Sequence, residues 1–309
     1  MMRVFVAGAT GAIGKQLVPR LVGAGHEVHG MTRSESKMAM LYELGAVPVV
    51  ADALDPDQVA EAVGKARPDV IVHQLTALAG EGMRGLKRRV ATTNRLRSEG
   101  TDHLLSAGQA VGVRRFVAQS IVLYARTGGP VKSEEDPLDP TPPRDFREAA
   151  AAIFHLEEAV LDAGWTEGIV LRYGAFYGPG TGFAPGGDMH EMIRKRRFPL
   201  VGDGGGVWSF IHIADAAEAT VAAVEHGSRG VYNVVDDDPA PVAEWLPALA
   251  QTLGARQPMR VPRFIGRLFA GETDVMMMTE LRGASNAKAK RELAWRPAHP
   301  SWRQGFTAA

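Results

Sequence analysis

Val4-Phe5-Val6-Ala7-Gly8-Ala9-Thr10-Gly11-Ala12-Ile13-Gly14-Lys15-Gln16-Leu17-Val18 decides the fold. An apolar, β-rich run leads into three glycines at positions 8, 11 and 14, and an amphipathic run follows. That order reads as a buried strand, a tight turn and a helix. Gly8 lets the chain turn with positive φ. Gly11 lets a pyrophosphate approach the backbone, and Gly14 lets the helix pack close to the strand. The helix start offers free N–H groups and a positive dipole end to phosphates. Thr10, Ala12 and Ile13 fill the turn and complete its dinucleotide-facing surface. The glycine spacing gains its meaning from this strand-turn-helix setting.

Outward from the turn, strand and helix patterns alternate. Strands are predicted at Arg3–Ala7, Glu27–Thr32, Val47–Val50, Val70–Gln74 and Arg115–Ser120. Helices are predicted at Ala12–Ala24, Glu35–Leu44 and Pro56–Gly64, with one long helix over Leu86–Val111. Repeated β-α-β units of this length predict an α/β fold, a Rossmann-type doubly wound parallel sheet with its ligand edge at the strand carboxyl ends. Thr127–Arg144 is rich in Pro, Gly and acidic residues and reads as a long surface loop. A helix at Asp145–Ala163 and a strand at Gly168–Arg172 resume the sheet. The expected division is a dinucleotide-binding domain over 1–174, to which 211–235 returns, and a smaller substrate lobe over 175–309.

Composition narrows the function. The 309 residues carry 35 Lys+Arg against 35 Asp+Glu, so no nucleic-acid or membrane-surface partner is expected. The basic run Arg194-Lys195-Arg196-Arg197 reads as a solvated helix end. There is no cysteine, which excludes disulfides, thiolate metal sites and a cysteine nucleophile. The histidines show no H-x-x-x-H or H-x-H spacing, so no metal is expected. His212-Ile213-Ala214-Asp215 reads instead as a strand-to-helix cap with Asp215 at the helix start. Ser120 lacks a G-x-S-x-G elbow, which leaves a hydrolase triad without support. The chain enters a strand at once and has no apolar run of about 18 residues, so a cytoplasmic protein without signal peptide is expected.

Further segments carry a family resemblance. Asp52-Ala53-Leu54-Asp55, Phe116-Val117-Ala118-Gln119-Ser120-Ile121-Val122-Leu123-Tyr124-Ala125 and Leu171-Arg172-Tyr173-Gly174-Ala175-Phe176-Tyr177-Gly178-Pro179-Gly180 come in that order. Trp208-Ser209-Phe210-Ile211-His212-Ile213-Ala214-Asp215, Val231-Tyr232-Asn233-Val234 and Ala294-Trp295-Arg296-Pro297 complete the series. The chain resembles the extended and atypical short-chain dehydrogenase/reductases, the NAD-dependent epimerase/dehydratase group. The resemblance implies adenine contacts from Asp52 and Ala53, further cofactor contacts from Leu75 and Arg172, and a catalytic role for Ser120. It also implies a homodimer packed through the helices at Leu86–Val111 and Asp145–Ala163.

Cofactor choice follows from charge. NAD-preferring members hold an acid at the end of the second strand, bonded to the ribose hydroxyls. Here that end reads Met31-Thr32-Arg33-Ser34. A guanidinium binds a 2′-phosphate bidentately where a carboxylate would repel it. Arg33, aided by Ser34 and Lys37, points to NADP, with NAD as the alternative.

One element of the family pattern is missing. The Tyr-x-x-x-Lys pair, whose lysine tunes the phenol for proton transfer, occurs nowhere in this sequence. Its expected place is within Arg-Glu-Ala-Ala-Ala-Ala-Ile-Phe at 147–154. Ala149 or Ala150 stands for the tyrosine, and Ile153 or Phe154 for the lysine. Ser120 then either polarises a substrate oxygen or merely ends its strand. Tyr124, Tyr173 and Tyr177 are candidate substitute donors or pocket walls. His155 is a titratable candidate one turn away. The arginine that nucleotide-sugar enzymes of the group use for a phosphate is replaced by Val207-Trp208-Ser209. Trp208 suits ring packing and Met276 adds a soft, adaptable wall, which points to a small or apolar carbonyl, alcohol or enone substrate. The sequence therefore predicts an NADP-dependent oxidoreductase with a non-standard proton donor. A dinucleotide-binding regulator, or a lyase, isomerase or cyclase on the same fold, stands as the alternative.

Overall fold

The computed structural model describes residues 1–78 and 85–306. Seven strands form one parallel sheet: β1 (Arg3–Ala7), β2 (Glu27–Thr32), β3 (Val47–Val50), β4 (Val70–His73), β5 (Arg115–Ile121), β6 (Glu167–Tyr173) and β7 (Gly230–Val234). Their spatial order is β7-β6-β5-β4-β1-β2-β3. The chain winds outward from β1 in one direction through β2 and β3, then returns to β4 and proceeds in the other. The reversal leaves a crevice beyond the carboxyl ends of β1 and β4, the place where such sheets bind ligands.

Side chains of successive strand residues point to opposite faces, and both faces are covered. Val4, Val6, Val72, Val117 and Leu171 join one core with α1 (Ala12–Gly23) and the later helix α8 (Ile213–His226). Phe5, Ala7, Ile71, Phe116 and Val170 join the other with α3 (Pro56–Ala66), α5 (Glu99–Val111) and α6 (Arg147–Asp162). A third core, built on Tyr177, Phe183, Phe210, Trp245, Trp302 and Phe306, holds the smaller lobe together. This lobe includes α7 (Asp188–Arg194), α9 (Val242–Thr252), α10 (Arg263–Ala270) and α11 (Glu272–Thr279), and the short α2 (Met38–Glu43) lies between β2 and β3.

Three local expectations need correction. Leu86–Val111 is two helices, α4 (Leu86–Arg97) and α5, broken at Ser98 with φ −92° and ψ −80°. The Ser98 hydroxyl donates to the Asn94 carbonyl, a local bond that competes with the helix ladder. The helix expected from Asp145 begins at Arg147, after a 3₁₀ turn over Arg144–Phe146. Asp145 serves a different helix: its carboxylate accepts from the Thr273 N–H and hydroxyl at the start of α11. The segment 127–144 is irregular but pinned. Val131–Lys132 pairs with Gly283–Ala284, and Asp139 is buried against Arg126.

The glycine turn shows why glycine is required at two of its three positions. Gly8 has φ +95°, and a Cβ there would lie 2.7 Å from the Gln74 carbonyl oxygen. A Cβ on Gly14 would lie 2.4 Å from the carbonyl oxygens of both Ala9 and Gly8. A Cβ on Gly11 would meet only the Gly8 oxygen, at 3.2 Å. Gly14→Ala should therefore destabilise the ligand-free protein by about 1–3 kcal/mol through overpacking, whereas Gly11→Ala should unfold close to wild type. Urea unfolding of the two variants checks the contrast.

Candidate active site

The turn after β1 opens the site. Gly11 precedes α1 in extended conformation, φ −75° and ψ 178°, and no side chain caps the helix. Gly11 and Thr10 are half-buried and Ala12 is exposed, while Ile13 and Gly14 are buried beneath them. The space above the first turn is thus open to backbone approach, which fits a dinucleotide pyrophosphate. At the end of β2, Arg33 is exposed and Ser34 half-buried, its hydroxyl 2.8 Å from that of Ser36. After β3, the Asp52 carboxylate accepts from the Leu54 N–H, and Ala53 is buried. Leu75 is half-buried just beyond β4. These residues follow the carboxyl ends of β1 to β4 along one edge of the sheet.

The other half of the edge is built around a buried charge cluster. Glu157 on α6 accepts from the Ser120 hydroxyl at 2.6 Å and from Arg172 Nε at 2.9 Å, with a second bond from the same guanidinium. All three residues are nearly inaccessible: Ser120 is 1%, Glu157 4% and Arg172 5% exposed. The Arg172 guanidinium lies 5.1 Å from the centre of the Tyr124 ring, whose hydroxyl donates to Asn233 on β7. Arg172, expected to reach the cofactor, instead ties β6 to α6. Ser120 has its hydroxyl engaged in the same tie. Glu157 escaped the sequence reading because it looked like one more surface acid in Leu-Glu-Glu-Ala. Its signal was helical spacing, since it falls four residues after Ile153.

The positions left vacant by the tyrosine and lysine are closed by aliphatic side chains. Ala149, Ala150 and Ile153 are buried, and Ala150 and Ile153 pack with Leu123 just past β5. Phe154 is partly buried against the same cluster. His155 lies on another face of α6, about half exposed, with Nε2 2.8 Å from Asp102 on α5. The expectation that it serves the site is corrected by this outward placement.

The three candidate tyrosines are poor acids. Tyr173 is fully enclosed, between Gln74 and Thr220, and burial pushes its phenol up to about 12. Tyr177 sits among Phe210, His212 and Phe306, and burial, then the nearby Asp236 and Asp215, push its phenol far up. Burial raises Tyr124 as well, against the opposing pull of Arg172. Asp236, just past β7, is buried beside Asp238 and Asp237; desolvation foremost raises its carboxyl to about 8.

Trp208 and Met276 are placed differently. Trp208 packs on Trp245 and donates its indole N–H to the Met277 carbonyl, so it belongs to the small-lobe core. Met276 is buried and lines a cavity of about 290 Å³ between the segment 141–147 and α10–α11.

Among the described residues, His212, Asp215 and His299 bring potential metal-ligand atoms within 4.8 Å of one another. Asp215 already accepts from the backbone N–H groups of Ala298 and His299, and the two imidazoles stack at 3.7 Å. The trio pins the C-terminal segment to the start of α8. The cap expected of Asp215 is made by His212, whose Nδ1 accepts from the Ala214 N–H.

Removing one partner of the buried cluster should be costly. Glu157→Ala leaves the Arg172 guanidinium buried and uncompensated, an expected loss of about 3–5 kcal/mol. Ser120→Ala removes one donor to a charged acceptor, an expected loss of about 1–3 kcal/mol. Denaturant unfolding of both variants should give that ranking, and equal losses would contradict it.

Comparison with known proteins places this geometry. Residues 4–235 match the NAD dependent epimerase/dehydratase family. The chain is 45% identical to a 3-diazoavenalumate denitrifying reductase from a Streptomyces species, over 99% of each chain. It is 29% identical, over 82% of its length and 74% of the relative, to a Stigmatella aurantiaca ketoreductase that acts on 4-hydroxy-2-methyl-3-oxo-4-farnesyl-3,4-dihydroquinoline-1-oxide. Among solved structures, the Thermus thermophilus UDP-glucose 4-epimerase with NAD superposes with a TM-score of 0.75 at 24% identity, covering 99% of this chain and 97% of that one. A human epimerase family protein with NADPH superposes with a TM-score of 0.72 at 22% identity, covering 99% and 98%.

Proposed function

The chain belongs to the NAD-dependent epimerase/dehydratase family, and from that premise we propose that it is an NADP-dependent reductase of an aryl diazonium ion. The relatives named as reductases support an oxidoreductase, and NAD or NADPH in the neighbouring structures supports a nicotinamide cofactor. The observation that carries the finer reading is the closed, apolar face of α6 at Ala149, Ala150 and Ile153.

Reduction of a carbonyl needs a hydride on carbon and a proton on oxygen. Family members supply the proton through a tuned tyrosine. Here no tyrosine-lysine pair exists, and Tyr124, Tyr173 and Tyr177 are all shifted toward weaker acidity. A diazonium ion has different needs. Addition of a hydride to its terminal nitrogen gives an aryl diazene, Ar–N=N–H. Loss of N2 breaks the C–N bond, leaves that electron pair on carbon, and passes the hydrogen to it as a proton. The net change, ArN2⁺ plus hydride to ArH plus N2, consumes no proton from the protein. A site without the tyrosine-lysine pair suits this reaction better than ketone reduction. The 45%-identical relative is named for denitrification of a diazo carboxylate, which supports the same class.

When bound, the reduced dinucleotide supplies the hydride; the protein's work is binding, orientation and exclusion of water. Gly11 and the start of α1 would receive the pyrophosphate, and Asp52 and Ala53 the adenosine end. Arg33 and Ser34 would receive the 2′-phosphate. The tie among Ser120, Glu157 and Arg172 is a positioning device that would hold the edge facing the bound nicotinamide.

Two outcomes are expected. With NADPH and an aryl diazonium carboxylate, the protein should consume one NADPH for each N2 released, measured by NADPH absorbance and gas evolution. Turnover of simple ketones with no such release would overturn the reading. NADPH should also bind more tightly than NADH by calorimetry. Arg33→Asp should cost NADPH affinity about 1.5–3 kcal/mol, the scale of a charged hydrogen bond, and leave NADH the better ligand.

A further inference from the structure

The cavity between the two lobes has an arrangement the reductase reading does not use. Pro142, Pro143, Val275 and Met276 are among its lining residues. Its rim carries four guanidiniums, from Arg126, Arg144, Arg147 and Arg267, against two carboxylates, Glu272 and Glu280. Arg126 is engaged by Asp139 and Glu280, and Glu280 also accepts from Arg263. Among the described residues, the exposed side chains of Arg144, Arg147 and Arg267 enter no ion pair.

Nothing in helix formation asks for those charges. Arg144 and Arg147 stand at the head of α6, where the helix dipole disfavours cations. Arg147 also sits three residues before Ala150, one helical turn along the same face. Arg147 and Ala150 line a second depression, with Pro140, Thr141 and Phe154. Uncompensated positive charge is therefore held one turn from the position the family tyrosine would occupy.

We propose that Arg144, Arg147 and Arg267 form an anion anchor for the substrate carboxylate, so that the protein selects amphiphilic aryl acids. A cationic rim around a cavity of this size suits the anionic end of a substrate, whose aryl body the reductase reading supplies. The proposal rests on the reductase reading for its substrate, and it is tested without turnover.

The probes are 4-hydroxycinnamate and its methyl ester, titrated calorimetrically into the NADP⁺-loaded protein. The acid should bind at least about tenfold more tightly than the ester, the modest scale expected of exposed charge-assisted contacts. In the double variant Arg144→Ala/Arg147→Ala that ratio should fall toward one, while Arg147→Lys alone should keep part of it. All three positions are exposed, and circular dichroism verifies the fold of each variant. Equal binding of acid and ester, no binding of the acid, or an unchanged ratio in the double variant overturns the anchor. A double variant that loses NADPH affinity but keeps the ratio assigns the arginines to a dinucleotide phosphate, and also overturns it. If the ratio behaves as stated but diazonium salts consume no NADPH, the anchor stands and the reductase reading fails.

Discussion

The carboxylate of Glu157 is the point on which the rest of the edge depends. It takes hydrogen bonds from Ser120 on β5 and Arg172 on β6 while riding on α6. Arg172 then lies over Tyr124, Tyr124 donates to Asn233 on β7, and the Asn233 N–H donates to Glu134 in the segment 127–144. Three neighbouring strands, one helix and the long connection are fixed in relation to one carboxylate. Buried ion pairs of this kind add little net stability over a well-packed apolar alternative. Their effect here is registry. They set which face of α6 meets the end of β5, and that face is Ala150 and Ile153.

The fold was legible because a doubly wound sheet buries both faces of its strands. Uninterrupted runs such as Val4-Phe5-Val6-Ala7 and Val70-Ile71-Val72 then stand out against the polar helices, and the bounds of β1, β2 and β3 agree with the sequence reading. Local competition was less visible. Ser98 breaks a helix through one side-chain bond to Asn94, and Asp145 caps α11 instead of its own helix. Neither effect has a periodic signature.

The site divides in the same way. The glycine turn is a local motif, and its reason can be read from Gly8 and Gly14 alone. The absent tyrosine and lysine were equally plain, because absence from a fixed spacing is a sequence fact. The partners of Ser120 and Arg172 were not: helical spacing puts Glu157 on the buried face with Ile153, but its two partners come from β5 and β6 and appear only once α6 is docked. The cationic cavity rim joins residues 126–147 to residues 267–280, a long-range pairing that no spacing encodes.

The proposed function joins these features: aliphatic side chains close the usual proton-transfer position and the candidate tyrosines are buried, an arrangement suited to hydride acceptors that need no proton. The most direct measurement is the pH profile of kcat for NADPH-dependent release of N2 from an aryl diazonium carboxylate. The expected profile between about pH 6 and pH 9 is flat once rates are corrected for the fraction of substrate present as the diazonium ion, because no general acid titrates in the rate-determining step. A rate that falls with rising pH through a single ionisation in that range, beyond the fall set by hydroxide addition to the free diazonium ion, would show that a protein group donates a proton, and would contradict it.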